Sequence, residues 1–287
     1  MLLGAARCRL AEAVPSSIVP LKHRPSATLV KEETVSVIPD GTPVVLLNAF
    51  PVDRAQWDPL IDALADIDAF PGDVISFDMP GIGEMPIPDD EPSLELIADA
   101  AVAAMRETTG HDAAVWIGCS MGGYVAMAVA ERHPDAVAGL GLIATRATAD
   151  TEEAHAKRLA TAEAVEGTTG VDDPRGMAEG LIGTHGDRRE GLVASISTNI
   201  AQHSGDGIAW GQRAMAARPD RVEVLKEIDG PAAVIGGALD GLVGAEELQL
   251  MADALGVEVT MVDGVGHLAA FEAPLEVARL LAPLTSA

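Results

Sequence analysis

Six short apolar runs, at residues 44–47, 74–77, 114–117, 138–143, 232–235 and 257–262, alternate with stretches of helical periodicity. Near-continuous apolar strands separated by helices predict a parallel sheet covered on both faces. The helices follow the same logic. After Ser93, a residue suited to an N-cap, Leu94, Ile97, Ala98, Ala101, Ala104 and Met105 share one face, and Gly110 can end the helix. Residues 34–38, followed by Pro39-Asp40-Gly41, read as an earlier strand and turn.

The alternation stops between residues 143 and 232. That interval reads as helices at 150–165, 174–182, 188–202 and 207–217, too long for a loop and without a strand. The expected organisation is a basic N-terminal arm over 1–31, an α/β core from 32–145 and 229–287, and a helical cap over 146–228.

The strongest local signal is Gly118-Cys119-Ser120-Met121-Gly122, set between the strand run at 114–117 and an apolar helix beginning near Tyr124. A sharp strand–turn–helix carries the serine hydroxyl to the strand tip, with glycines where side chains would clash. The Met121 amide at the helix N-terminus then points to where an oxyanion would develop beside the hydroxyl. A serine nucleophile needs a base. Of the seven histidines, His267 follows the last strand on a glycine-bearing loop, Asp263-Gly264-Val265-Gly266-His267. It therefore falls at the strands' C-terminal edge, where Ser120 also lies. The base needs an acid to hold its tautomer. Asp240, in Gly236-Gly237-Ala238-Leu239-Asp240, follows another strand. Its rivals are Asp253, on a helix, and Asp263, close in sequence to the histidine. The segment after the 138–143 strand, Ala144-Thr145-Arg146, holds no acid.

With Ser120, Asp240 and His267 in that order, the chain resembles the α/β-hydrolase superfamily over about residues 34–285. Leu46-Leu47-Asn48-Ala49-Phe50-Pro51 stands at the family's H-G-F-P loop. Phe77-Asp78-Met79-Pro80-Gly81-Ile82-Gly83 resembles its D-x-x-G-x-G segment. The segments 145–150 and 213–220 are similar to the small-ester and enol-lactone hydrolase branch. The resemblance implies an α/β-hydrolase fold, a mostly parallel sheet flanked by helices with a helical cap after the sixth strand. It implies hydrolysis of a small carboxylic ester or lactone through an acyl-enzyme, with the amides of Phe50 and Met121 as oxyanion donors and no cofactor. The family's His-Gly is Asn48-Ala49 here. Asn48 is expected to bond loop backbone and not the reacting carbonyl. Asn48, Trp57, Leu181 and Trp210 are candidates for the substrate pocket. Two other functions share these features: a non-catalytic scaffold binding a small ligand under the cap, and a cofactor-free perhydrolase or haloperoxidase on the same triad. Ser120 argues against epoxide and haloalkane hydrolases, which carry Asp there.

Composition narrows the partners. The net charge is −25, from 19 Lys plus Arg against 44 Asp plus Glu, which disfavours nucleic acid and anionic membranes. Five of the basic residues (Arg7, Arg9, Lys22, Arg24 and Lys31) lie in the N-terminal arm, which reads as loosely ordered. No apolar stretch reaches the roughly 18 residues of a membrane-spanning helix. Metal-ligand spacing is absent, and Gly81-x-Gly83 lacks the full dinucleotide fingerprint. Two cysteines, Cys8 and Cys119, fit a reducing compartment, so a cytoplasmic location is expected. Nothing in these residues specifies an oligomeric state.

Overall fold

The computed structural model describes residues 17–19, 38–39, 41–70 and 72–284. The strands are β1 (Ser17–Val19), β2 (Val44–Leu47), β3 (Val74–Phe77), β4 (Ala114–Cys119), β5 (Val137–Ile143), β6 (Ala232–Gly237) and β7 (Val259–Val262). The helices are α1 (Asp58–Asp66), α2 (Leu94–Thr109), α3 (Met121–Arg132), α4 (Glu152–Val165), α5 (Pro174–Leu181), α6 (Asp187–Ile200), α7 (Gly205–Ala216), α8 (Val222–Leu225), α9 (Ala245–Leu255), α10 (Ala269–Glu272) and α11 (Pro274–Leu281).

The strands form one sheet in the order β1-β3-β2-β4-β5-β6-β7. Strands β2 to β7 are parallel, and β1 pairs antiparallel with β3 at one edge. Alternate side chains feed two cores. Val45, Leu47, Ile75 and Trp116 face α2, α3 and α9, while Val44, Leu46, Val115 and Ile117 face α1 and α11. Burial on both faces explains why these strands lack polar alternation. Helix α2 is bounded as its residues suggest: Ser93 Oγ accepts from Leu96 N at 3.0 Å, and Gly110 ends it at φ 72°.

Five described strands precede the helical segment α4–α8, which runs between β5 and β6. One expectation changes. The N-terminal arm is not wholly irregular, because Ser17–Val19 pairs with β3. Periodicity could not find this strand, since three residues are too few to show an alternation. The strand expected at 34–38 lies almost wholly outside the described residues. Among those residues, no helix is long and apolar enough to cross a membrane, and no group of His, Cys, Asp and Glu is arranged to hold a metal.

The helical segment is seated on the core by close backbone contact and by buried polar groups. Gly207 of α7 lies on Gly81, so that a Cβ at Gly207 would stand 2.0 Å from the Gly81 carbonyl oxygen. Asp53 and Asn199 exchange two hydrogen bonds, 3.1 and 2.6 Å. His203, 3% exposed, accepts from Gly83 N through Nδ1 at 3.3 Å, and its Nε2 faces Asn199 Oδ1 at 3.3 Å. Burial lowers the His203 pKa, against the opposing pull of Asp53 and Asp78. The neutral ring is also the form with an acceptor to offer Gly83. A depressed histidine contributes stability that is present above the ordinary value of about 6.5 and lost as pH falls through the folded value, because the unfolded chain takes the proton first. Urea unfolding at pH 7.5 and 5.0 is expected to show this loss. His203→Gln should flatten the dependence; an unchanged slope would remove His203 as its source.

Candidate active site

Strand β4 ends at Cys119 and α3 begins at Met121, so Ser120 alone reverses the chain. It does so at φ 52° and ψ −114°. A non-glycine residue held there costs on the order of 1–3 kcal/mol, which surrounding contacts must offset. Ser120 N donates to Ile143 O at 3.0 Å, Gly123 N donates to Ser120 O at 2.9 Å, and Thr145 Oγ1 donates to the same oxygen at 2.7 Å. Two glycines make the turn sterically possible. A Cβ at Gly122 would stand 1.9 Å from the Leu47 carbonyl oxygen, and one at Gly118 would meet the Gly122 backbone at 2.3 Å. Helix α3 therefore starts directly against the end of β2.

Two further loops leave the same edge of the sheet. The loop after β6 carries Asp240 and the loop after β7 carries His267. They are stitched together by Ala238 N to Val262 O at 2.9 Å and Leu239 N to Val265 O at 2.8 Å. His267 Nδ1 lies 2.9 Å from Asp240 Oδ2, with both side chains almost fully buried. An ionised carboxylate only accepts, so in this pair the ring donates through Nδ1. The second Asp240 oxygen, Oδ1, accepts from Leu242 N at 2.7 Å and Val243 N at 3.3 Å. The rivals are elsewhere. Asp253 Oδ1 accepts from Gln249 at 2.7 Å, Asp263 is exposed, and His133 pairs with Asp99 at 2.8 Å.

Ser120 and His267 open into one cavity of ≈ 490 Å³, walled by Phe50 and Pro51 from the core and by residues of α4, α5 and α7. Of the four pocket candidates, Leu181 lines it. Asn48, Trp57 and Trp210 do not: Asn48 and Trp57 are 0% exposed, and Trp210 packs in the core among Ile208, Ala214 and Met215. Large aromatic side chains in a chain with few of them are drawn into the core, where burial returns most.

Comparison with known proteins agrees with this fold. Residues 42–167 match the model of the alpha/beta hydrolase fold. A thermophilic esterase from Thermogutta terrifontis superposes with a TM-score of 0.76 at 30% identity, covering 84% of this chain and 88% of its own. The chain belongs to the α/β-hydrolase superfamily. The enol-lactonase from Burkholderia xenovorans LB400 shares the fold, with a TM-score of 0.73 at 20% identity over 94% of this chain and 95% of its own. The biotin biosynthesis bifunctional protein BioHC of Teredinibacter turnerae is 25% identical over 282 residues, 91% of this chain. This α/β-hydrolase spans about half of that relative, 47% of its length.

Where the hydrolase departs from its family, Asn48 is fully buried. Its Nδ2 donates to Val52 O and, at 3.4 Å, to Ala49 O, both within the loop that carries Phe50. Ala49 N donates to Gln56 Oε1 at 2.8 Å. Cys119, next to Ser120, has its thiol pushed up to about 12 by burial, so no thiolate competes there.

Sequence reasoning missed Glu272. This carboxylate, 0% exposed, joins the helical segment to the histidine loop. Its Oε2 accepts from Gly183 N at 2.9 Å, Thr184 N at 2.7 Å and Thr184 Oγ1 at 2.7 Å, while Oε1 accepts from Gly266 N at 2.8 Å. Gly183 and Gly266 cross so closely that a Cβ on either would lie 2.4 Å from the other's amide nitrogen. His267 N completes the junction by donating to Leu181 O at 2.9 Å. The available signal was an acid in the apolar stretch 268–271, where a charge is buried only if satisfied. Glu272→Gln would turn an amide NH₂ toward these donors and leave at least one unmet, costing about 1–3 kcal/mol. The urea midpoint should fall with an unchanged slope; an unshifted midpoint would refute this clamp.

Proposed function

We propose that this α/β-hydrolase cleaves a small carboxylic ester or lactone through an acyl-enzyme on Ser120. The observation that carries the reading is the buried His267–Asp240 pair at 2.9 Å, in a cavity shared with a serine at a strained strand-to-helix turn. The family relationship to an esterase at 30% identity supports the same reaction class.

The steps follow from the residues. Ser120 Oγ attacks the carbonyl carbon while His267 Nε2 takes its proton, and the carbonyl electron pair moves to oxygen. Asp240 stabilises the resulting imidazolium and keeps Nδ1 protonated. The amides of Phe50 and Met121, neither of which has a recorded hydrogen-bond partner among the described residues, receive the oxyanion. Collapse expels the alkoxide, which takes the proton from His267. Water then attacks the acyl-enzyme with His267 as base, releasing the acid and restoring Ser120. Residues 146–228 act as the cap that encloses the substrate over a core formed by 32–145 and 229–287. A reducing cytoplasm suits Cys119, a buried free thiol.

Two variants test the mechanism. Ser120→Ala should abolish turnover of p-nitrophenyl esters and labelling by a fluorophosphonate, with an unchanged circular dichroism spectrum. Wild-type turnover in that variant would end the proposal, and a wild-type protein that neither labels nor hydrolyses would mark a scaffold. Asp240→Asn keeps a hydrogen-bonding partner but favours the wrong histidine tautomer. Its kcat should fall steeply, on the order of 10⁴-fold by analogy with the best-studied triad, with KM much less affected. A near-silent Asp240→Asn would sink the assignment of the acid.

A further inference from the structure

Among the described residues, most arginines sit against carboxylates. Arg132 pairs with Asp99, Arg213 with Glu166, and Arg54 with both Asp78 and Glu84. The cavity at Ser120 breaks the pattern. Three cations, Arg146, Lys157 and Arg158, line its wall.

Their partners leave positive charge over. Arg146 Nη2 donates to the Leu242 carbonyl, a neutral acceptor, at 2.5 Å, and no carboxylate pairs with it among the described residues. Lys157 is exposed, and its ammonium has no hydrogen-bond or ion-pair partner among the described residues. Arg158 gives Nε to Asp150 Oδ2 at 2.6 Å and Nη1 to Gln212 Oε1 at 3.2 Å, while its Nη2 has no recorded partner among the described residues. Asp150 is shared. Its Oδ1 accepts from Arg218 Nη2 at 2.7 Å, with the Asp150 side chain 3% exposed and that of Arg218 2% exposed. Arg218 itself lies 4.3 Å over the ring of Tyr124, another wall residue. Burial would raise the Asp150 pKa, but Arg218 and Arg158 together hold it below the ordinary carboxylate value. One ionised carboxylate thus stands among four cations.

A cleft lined by one sign of charge focuses the field and concentrates oppositely charged ligands. The guanidinium fork matches a carboxylate in particular. We propose that the wall formed by Arg146, Lys157 and Arg158 is a carboxylate-recognition subsite, so that the preferred substrate is an ester or lactone bearing a second, ionised carboxylate away from the scissile carbonyl. Arg158 and Arg146 hold the anion, and Lys157 at the exposed rim draws it in. This rests on the reading of Ser120 as the nucleophile; the binding measurement below is independent of it.

The test compares monomethyl glutarate with methyl pentanoate, which match in acyl length and differ in charge. Hydrolysis is followed by pH-stat. The expected result is a kcat/KM at least tenfold higher for the anionic ester, with the difference in KM. Arg158→Gln should reduce that ratio tenfold or more. Because Arg158 also braces Asp150, the exposed Lys157→Glu gives a second variant. It should reduce the ratio by severalfold in low salt and by less at 0.5 M salt, where exposed charges are screened at roughly 4–5 Å. Calorimetry on Ser120→Ala should show monomethyl glutarate binding at least tenfold tighter than methyl pentanoate, with the preference weakened by Lys157→Glu. Equal binding of the two esters, or a ratio unmoved by both charge variants, would overturn the subsite. Tight anion binding without hydrolysis of either ester by the unmodified protein would overturn the nucleophile and leave the subsite standing.

Discussion

The reversal at Ser120 is the constraint around which the rest is arranged. A strand buried on both faces must become a helix within one residue, and that residue takes a backbone conformation unfavourable to any side chain with a Cβ. The turn survives because β2 and β5 flank β4. Ile143 and Thr145 bond the serine backbone, and the absence of a Cβ at Gly122 lets α3 rest against the Leu47 carbonyl. Once α3 is fixed there, its first amides, the Phe50 loop and the open end of the sheet converge on one small volume. The site is thus a consequence of how tightly one helix can begin against a neighbouring strand.

Glu272 extends the same rigidity to the helical segment. A charge placed fully out of water is costly unless each oxygen is satisfied, and here four donors satisfy it. Those donors come from two places far apart in sequence, residues 183–184 and Gly266. The carboxylate therefore couples the seating of the segment over the sheet to the position of the loop that ends in His267. Asn48 plays a smaller version of this part, bonding the backbone of the loop that carries Phe50.

Electrostatics separate the outside of this protein from its cavity. The chain is strongly acidic, and carboxylates pair with most of its described arginines. Around Asp150 the balance reverses: Arg158 and Arg218 share one acid, while Arg146 and Lys157 have none among the described residues. In a solvent-screened setting such a surplus would matter little. A partly enclosed cavity screens it less.

The sequence by itself determined the parallel sheet, the helical interruption and the positions of Ser120, Asp240 and His267 on loops at one edge. These follow from local pattern. A doubly buried strand must be apolar throughout, a tight strand-to-helix turn demands glycines at set offsets, and polar residues just after strands fall at the sheet's C-terminal rim. What it could not determine was which side chains meet across long separations. The 2.9 Å contact of His267 with Asp240, and not with Asp253 or Asp263, arises only once β6 and β7 are adjacent. Trp57 and Trp210 read as pocket candidates, yet packing consigned both to the core, since apolar area is as useful there as against a ligand. The short edge strand Ser17–Val19 and the cationic wall left no local signal, and the Glu272 junction left only an acid at the end of an apolar stretch, with no hint of its partners. Each depends on where a distant backbone donor, strand or carboxylate is brought by the fold, and a single sequence carries no periodicity for such contacts.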